Sequence, residues 1–377
     1  MRSAPETPPG GVPGSALRVL PGAEPSERRI AVKRRPRLET VDYVNGVLAC
    51  DRGVLGRTLT LMESASPAHR RQAGEVLDAL MPRTGASLRV GVTGTPGVGK
   101  STFIEAVGMM LVEAGRRVAV VAVDPSSDAT GGSILGDKTR MERLSMSPAA
   151  MVRPAPSGGW LGGVARGTRE SILVLEAAGY DVVIVETVGV GQSETLVSSM
   201  VDFFLLLTMP GAGDELQGMK RGIMEVAHGI VVNKADGPIL EAAKVARAQV
   251  EGALRLMRPP ADGWRPRAAT CSAATGAGLD EVWRMVEERQ RHLLDTHQLA
   301  PRRAEQAALW MRQAFEHELA ARFRADAARA ERFDALSARV RAGAASPLAA
   351  AEELLSLVYP APREGGAAPS HGEPESP

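Results

Sequence analysis

An α/β fold with a mostly parallel sheet covered by helices, plus helical extensions at both ends, is predicted by three observations. Short apolar runs rich in β-branched residues recur between positions 88 and 273, with stretches of helical spacing between them. The runs are apolar throughout rather than on alternate residues, which is the pattern of strands buried on both faces, as in a parallel sheet. In 41–87 and beyond 300 the apolar residues instead recur every three or four positions, the helical period.

Residues 1–40 carry many prolines, glycines and arginines and no continuous apolar core, so a disordered tail is expected. Arg28, Arg29, Arg34, Arg35 and Arg37 leave a targeting role open, although the prolines oppose an amphipathic helix there. Residues 41–87 predict a helical segment: Val44, Val47 and Leu48, then Leu55, Leu59, Leu61 and Met62, then Val76, Leu77 and Leu80 keep helical spacing until Pro82 and Gly85. Residues 88–296 predict the central domain. Its strands are LRVGVTG (88–94), VAVVAVD (118–124), DVVIVET (181–187), DFFLLLT (202–208), GIVVNKA (229–235) and a weaker RAATCSA (267–273). Helices are expected over 101–114, 161–178, 215–227, 239–257 and 279–294. Residues 297–359 predict two or three helices, with Trp310, Phe315, Leu319 and Phe323 as one apolar stripe and Leu354, Leu355, Leu357 and Val358 as another. The stretch 360–377, rich in Pro, Gly, Ser and Glu, is expected to be a disordered tail.

Composition narrows the function classes. Lys plus Arg number 45 and Asp plus Glu 44, a net charge of +1, so no long-range field gathers nucleic acid or anionic lipid. Neither nucleic acid nor membrane is an expected partner. The most apolar run, FFLLLTM (203–209), falls far short of the roughly 18 residues that cross a bilayer. Cys50 and Cys271 have no CxxC spacing and no neighbouring histidines, which excludes a disulfide framework and a structural zinc site and fits the cytoplasm. Only six of the 45 basic residues are lysines, and Lys100, Lys138, Lys220 and Lys234 fall inside the motifs below. A chain that otherwise uses arginine places lysine where a compact ammonium is required.

Gly94-Thr95-Pro96-Gly97-Val98-Gly99-Lys100-Ser101-Thr102 satisfies G-x-x-x-x-G-K-[ST] between a strand and a helix, the context in which such a loop holds nucleotide phosphates. Its glycines let backbone N–H groups turn inward around phosphate oxygens, and the following helix adds its positive end. Lys100 is expected to reach the β and γ phosphates, and Ser101 to bind magnesium. Magnesium needs only one or two carboxylates besides phosphate oxygens. Asp124 and Glu186 at strand ends and Asp137 in GGSILGDKTR are the metal candidates, each of which alone also reads as a cap or solvated loop acid.

Asn233-Lys234-Ala235-Asp236 follows an apolar strand and matches N-K-x-D, a guanine reader. A carboxylate at Asp236 accepts from both the ring N–H and the exocyclic amine of guanine, whereas adenine presents the opposite pattern. Hydrogen bonds to a charged group are worth roughly 1.5 to 3 kcal/mol each, enough to discriminate the bases strongly. Asn233 braces the loop in this reading, Lys234 lies along the base, and Ser272-Ala273 supplies a backbone N–H to the guanine oxygen. GTP is therefore the expected nucleotide.

With VAVDPSSDATGGSILGDKTRM (121–141), ETVGVGQSE (186–194) and PGAGDELQGMKRG (210–222) added to these motifs, the chain from roughly 45 to 358 resembles the MeaB/ArgK/MMAA family. The family comprises P-loop GTPase chaperones of adenosylcobalamin-dependent methylmalonyl-CoA mutase. The resemblance implies a P-loop NTPase fold and a GTPase that gates adenosylcobalamin loading and protects or reactivates the mutase or a related acyl-CoA mutase, with the cobalamin held by the partner. It implies that Glu186, with Thr187 to Gly189, serves the metal and senses the γ phosphate as a D-x-x-G-type switch. Asp124 and Asp137 match acidic positions near the metal and the first switch. Residues 211–222 match a third switch, in which Lys220 moves toward the nucleotide on mutase binding and Asp214 and Glu215 signal to the partner. Lys100, Glu186 and Lys220 are thus the expected catalytic residues. Gln192 is a further switch residue, positioning water or only solvated. The resemblance also implies homodimerisation through 297–359 and makes an adenosyltransferase a further candidate partner.

Residues 211–222 also read as a flexible loop capping the next helix, with Asp214 as N-cap. Two other functions compete. A nickel-inserting metallochaperone GTPase would need a Cys/His cluster, but the six histidines are scattered and only His292 and His297 are close. An ATP-dependent kinase is opposed by Asn233 to Asp236.

Overall fold

The computed structural model describes residues 38–64, 66–123, 141–154, 161–187, 193–211, 221–257 and 262–359. Seven parallel strands form one sheet: β1 (Leu88–Gly94), β2 (Val118–Val123), β3 (Ala150–Arg153), β4 (Val182–Thr187), β5 (Phe203–Thr208), β6 (Gly229–Val232) and β7 (Arg267–Thr270), in the order β3-β2-β4-β1-β5-β6-β7. β2, β4 and β5 are buried at every position, as their uniform apolarity requires. The six expected strands are present, but two end early. β6 stops at Val232 because Lys234 takes a positive φ of 59°, and β7 stops at Thr270, before the turn at 273–275. β3 was not expected. Among the described residues it pairs with β2 alone, at the sheet edge, and its apolar run is only the four residues 149–152, held between Pro148 and Arg153.

On one face of the sheet lie α4 (Lys100–Glu113), the short α5 (Glu142–Met146) and α10 (Leu279–Asp295). Phe103, Ile104, Val107 and Leu111 of α4 and Val282, Met285 and Val286 of α10 share a core with Val90, Val92, Ile184, Leu205 and Leu207 of the sheet. The other face is covered by α6 (Leu161–Ala177), α7 (Ser193–Ser198), α8 (Arg221–Val226) and α9 (Leu240–Leu256), with Leu206, Met224, Ile230 and Val250 in a second core. Residue 215 lies outside the described residues, so the start expected for the helix at α8 is not described.

α1 (Thr40–Leu48), α2 (Arg52–Glu63) and α3 (Pro67–Leu80) stack on α6. Thr40, expected in the tail, opens α1, where Glu39 and Asp42 form reciprocal capping bonds. Asp51 caps α2 through the Gly53 and Val54 N–H groups, and Pro67 opens α3 where its missing N–H costs nothing. The C-terminal helices are α11 (Leu299–Ala325), α12 (Ala327–Arg341) and α13 (Pro347–Ser356). α11 is anchored at the N-terminal end of the sheet: Arg303 donates to the Asp202 carboxylate and the Gly85 and Ser87 carbonyls, and Gln306 to the Val201 carbonyl. Beside it, Arg89 makes a two-pronged bond to buried Glu176 at 2.8 Å on both arms.

Glu170 of α6 lies in a largely desolvated position with the Arg166 guanidinium at 3.9 Å. Burial raises its pKa to about 7, opposed by the charges of Arg166 and Arg70. The folded state therefore favours the protonated acid, and this contribution to stability is complete below the ordinary carboxylate range and lost as pH rises through about 7. Relative to wild type, Glu170→Gln gains stability as pH rises through that window, by up to about 3 kcal/mol at 1.36 kcal/mol per pKa unit. Urea unfolding of both proteins across the pH range measures it, and a pH-independent difference contradicts it.

Candidate nucleotide site

The C-terminal end of β1 turns directly into the glycine-rich loop, and two of its glycines are there for steric reasons. Gly94 has φ +150°, and a Cβ there would stand 2.4 Å from the Leu207 carbonyl oxygen on neighbouring β5. Gly99, at φ +91°, would place a Cβ 2.9 Å from Nδ2 of Asn233. Val98 between them is fully buried in the α4 core, which anchors the loop while Pro96 and Gly97 remain exposed. Thr95 is half-buried and Thr102 exposed. Lys100, the first residue of α4, folds its ammonium back over the loop and donates to the carbonyls of Gly94 at 2.7 Å and Thr95 at 3.2 Å. The backbone N–H groups of the first turn of α4 open onto the same loop, the arrangement that receives phosphate oxygens.

Ser101, one residue on, donates its hydroxyl to Oε1 of Glu186 at 2.9 Å. Glu186 sits on β4 in register with Val92 of β1 and Ala122 of β2, and its carboxylate is buried. A hydroxyl and a carboxylate oxygen meeting beside a phosphate loop are hard oxygen donors of the kind magnesium takes, so the residues present fit that ion. Thr187 donates its hydroxyl to that of Thr93 at 2.8 Å, pinning the end of β4 to the end of β1. This link comes from strand register and has no motif of its own.

Asn233 joins the phosphate loop to the turns on the far side of β6. Its backbone N–H donates to Thr208 at 2.8 Å, and its Nδ2 donates to the Val98 carbonyl at 2.9 Å. Its Oδ1 accepts from Ala273 N–H at 3.1 Å and from the Cys271 thiol at 3.5 Å. Burial pushes the Cys271 pKa up to about 12, so the thiol keeps the proton it donates. Lys234 is exposed, and Asp236 is half-buried with one carboxylate oxygen accepting from the Ser272 hydroxyl. Ser272 is itself fixed by Thr275 N–H on its hydroxyl at 3.2 Å. One carboxylate, an exposed lysine stem and the Ala273 turn thus share one end of the sheet with the glycine-rich loop.

Asp124, Asp137, Gly189, Gln192, Asp214, Glu215 and Lys220 lie outside the described residues. β2 ends at Val123, immediately before Asp124, and β4 ends at Thr187, two residues before Gly189. Among the described residues no group of three His, Cys, Asp or Glu side chains could hold a metal ion. His228 has its Nδ1 engaged by Phe204 N–H at 2.8 Å, and burial, together with Arg289 and Arg302, lowers its pKa to about 3.

A parallel sheet with a glycine-rich G-x-x-x-x-G-K-S loop after β1, a serine–carboxylate pair beside it and an N-K-x-D sequence after β6 defines a P-loop GTPase. The chain belongs to the MeaB family: the family model described as "Methylmalonyl Co-A mutase-associated GTPase MeaB" matches residues 55–328. It is 52% identical over 269 residues to the GTPase ArgK of Escherichia coli, covering 71% of this chain and 81% of that one. It is 42% identical over 320 residues to the mouse protein named "Methylmalonic aciduria type A homolog, mitochondrial", covering 82% and 77%. A crystal structure titled as an LAO/AO transport system kinase superposes with a TM-score of 0.68 at 39% identity, covering 85% of this chain and 97% of that one. No helix among the described residues is long and apolar enough to cross a membrane.

Proposed function

We propose that this GTPase is a chaperone of methylmalonyl-CoA mutase or a related cobalamin-dependent acyl-CoA mutase, using GTP binding and hydrolysis to gate adenosylcobalamin loading and to protect or reactivate the mutase. The observation that carries the reading is membership of a mutase-associated GTPase family across residues 55–328, which reaches from the N-terminal helices into α12. Adenosylcobalamin belongs on the partner in this account, an adenosyltransferase is a further contact, and two free thiols suit a reducing compartment such as the cytoplasm.

Residues 94–102 hold the phosphates, with Lys100 on the β and γ oxygens. Ser101 and Glu186 would hold magnesium, with Asp124 and Asp137 as further acidic groups near it, and the ion when bound neutralises charge on the β and γ phosphates. Asp236 reads the guanine edge, Lys234 lies along the base, and Ala273 N–H meets its oxygen. Asn233 keeps base turn and phosphate loop at a fixed separation, so the nucleotide is gripped at both ends by one rigid unit. Phosphoryl transfer is accelerated by an added cation on the transferring group, by up to several orders of magnitude. Lys220, on the third switch with Asp214 and Glu215, is that conditional cation, supplied when the mutase docks, while Gly189 and Gln192 respond to the γ phosphate. Mutase-dependent stimulation of turnover is expected to vanish in Lys220→Ala, and equal stimulation in mutant and wild type removes Lys220 from the mechanism.

The same reading makes the chain a homodimer through its C-terminal helices. Met311, Phe315 and Leu319 recur every four residues along α11 and are 70%, 65% and 42% exposed, and Leu348 and Leu355 of α13 are exposed as well. An apolar stripe of that length on a helix is the pattern of a helix-on-helix interface. Phe315→Asp is expected to convert a dimer to a monomer in sedimentation velocity at micromolar concentration. A wild-type monomer under the same conditions contradicts the dimer.

A further inference from the structure

β7 ends the sheet, and β6 is its partner among the described residues. Cys271 reveals how its backbone groups alternate: its N–H donates to the Val232 carbonyl at 3.0 Å, and its carbonyl accepts from Ala235 N–H at 2.9 Å. Both pairing groups of a strand residue point to the same side and the side alternates along the chain. Arg267 and Ala269 therefore also face β6, and Ala268 turns its N–H and C=O to the open edge.

Open edges are normally short, charged or covered. This one opens into a cavity of about 560 Å³ between α9 and α10, whose apolar lining includes Met224, Leu254 and Met285. The carboxylates around it are engaged. Glu251 accepts from Arg247 at 2.9 Å, Arg247 reaches Glu281 at 3.7 Å, and Glu288 pairs with Arg267. Arg255 on the α9 wall, Arg284 on the α10 wall and Arg265 just before β7 also line the cavity, and they make no hydrogen bond or ion pair among the described residues. The groove thus presents the outer edge of β7 between apolar walls, with Arg255 and Arg265 unpaired among the described residues and Arg284 near enough for its charge to act on Glu288.

We propose that this groove docks an extended acidic segment of a partner protein, which adds to β7 as an eighth strand with its carboxylates against Arg255, Arg265 and Arg284. In strand addition the main chain supplies affinity and the flanking side-chain contacts supply specificity. Here the N–H and C=O that Ala268 turns away from β6 give the first, and guanidinium groups that match carboxylates give the second. The four residues of β7 offer an edge of roughly 13 Å at about 3.3 Å per residue. Thr270 leads straight into Cys271 to Ala273, so a docked strand lies beside the turn that also holds Asn233. The proposal is independent of which protein the GTPase serves.

The test uses the full chain and a fluorescein-labelled peptide of alternating glutamate and valine, followed by anisotropy, with a lysine–valine peptide as control. Expected are saturable binding of the acidic peptide only, slowed hydrogen exchange at the Ala268 amide, and a loss of affinity of at least about tenfold in Arg255→Glu/Arg284→Glu. Ala268→Pro, which deletes the outward N–H on an edge strand that tolerates proline, is expected to abolish binding. Retained GTP binding checks that each variant folds, and Arg255→Ala and Arg284→Ala, at exposed positions, replace the double reversal if it does not fold. Absent saturation, equal affinity for the lysine peptide, binding indifferent to the arginines, or displacement by inorganic phosphate without protection at Ala268 each overturn the proposal.

Discussion

Asp236→Asn is expected to lower GTP affinity by at least about 10²-fold and to create a preference for xanthosine triphosphate. In the proposed reading the carboxylate accepts two hydrogen bonds from guanine, each worth roughly 1.5 to 3 kcal/mol when the acceptor is charged. An amide keeps one acceptor and turns a donor toward the exocyclic amine, which repels it, whereas xanthine carries an oxygen at that position and accepts. The substitution also touches the bond that Asp236 accepts from the Ser272 hydroxyl, but the bonds of Asn233 to Val98 and Ala273 do not involve the carboxylate, so the link between base turn and phosphate loop is kept. Titration of both triphosphates against both proteins measures the switch, and an unchanged ratio of affinities shows that the base is read elsewhere.

Lys100→Ala is expected to lower GTP turnover by about 10²- to 10³-fold, the usual effect of removing one donor that stabilises charge in the transition state. The ammonium already lies over the loop, on the carbonyls of Gly94 and Thr95, so phosphate oxygens meet a cation held in position by the loop itself. Its removal also releases two loop carbonyls, and affinity for the triphosphate falls with the rate. Single-turnover hydrolysis separates the two effects, and a rate within threefold of wild type (a threshold of roughly 0.7 kcal/mol) excludes Lys100 from the chemistry.

The glycine-rich loop was legible because its geometry dictates its residues. Gly94 and Gly99 each combine a positive φ with a neighbour that a Cβ would strike, and Lys100 and Ser101 follow at fixed offsets where the helix begins. The central strands were legible because burial on both faces writes an uninterrupted apolar run, as in β4 and β5. β3 was not, since a four-residue apolar run between Pro148 and Arg153 resembles any loop. The contact of Thr187 with Thr93 depends on which strand lies beside which, and nothing local encodes it. The stripe on α11 was visible as a period but not as an inside or an outside. The fold resolves this by leaving Met311, Phe315 and Leu319 exposed while Arg303 and Gln306 tie the start of the helix to the sheet.

Asn233 explains why two motifs 135 residues apart behave as one device, since a single side chain bridges the Val98 carbonyl and the Ala273 amide. Such coupling grips a nucleotide and does not by itself hydrolyse it quickly. In the proposed function the pocket is formed beforehand and the cation, Lys220, is supplied when the partner docks. The measurement that tests this most directly is GTP turnover by the purified protein with and without methylmalonyl-CoA mutase. A rise in turnover of an order of magnitude or more, on the scale that added cations produce, is the predicted result. Tight GTP binding with turnover unaffected by this mutase and by related cobalamin-dependent acyl-CoA mutases would contradict it.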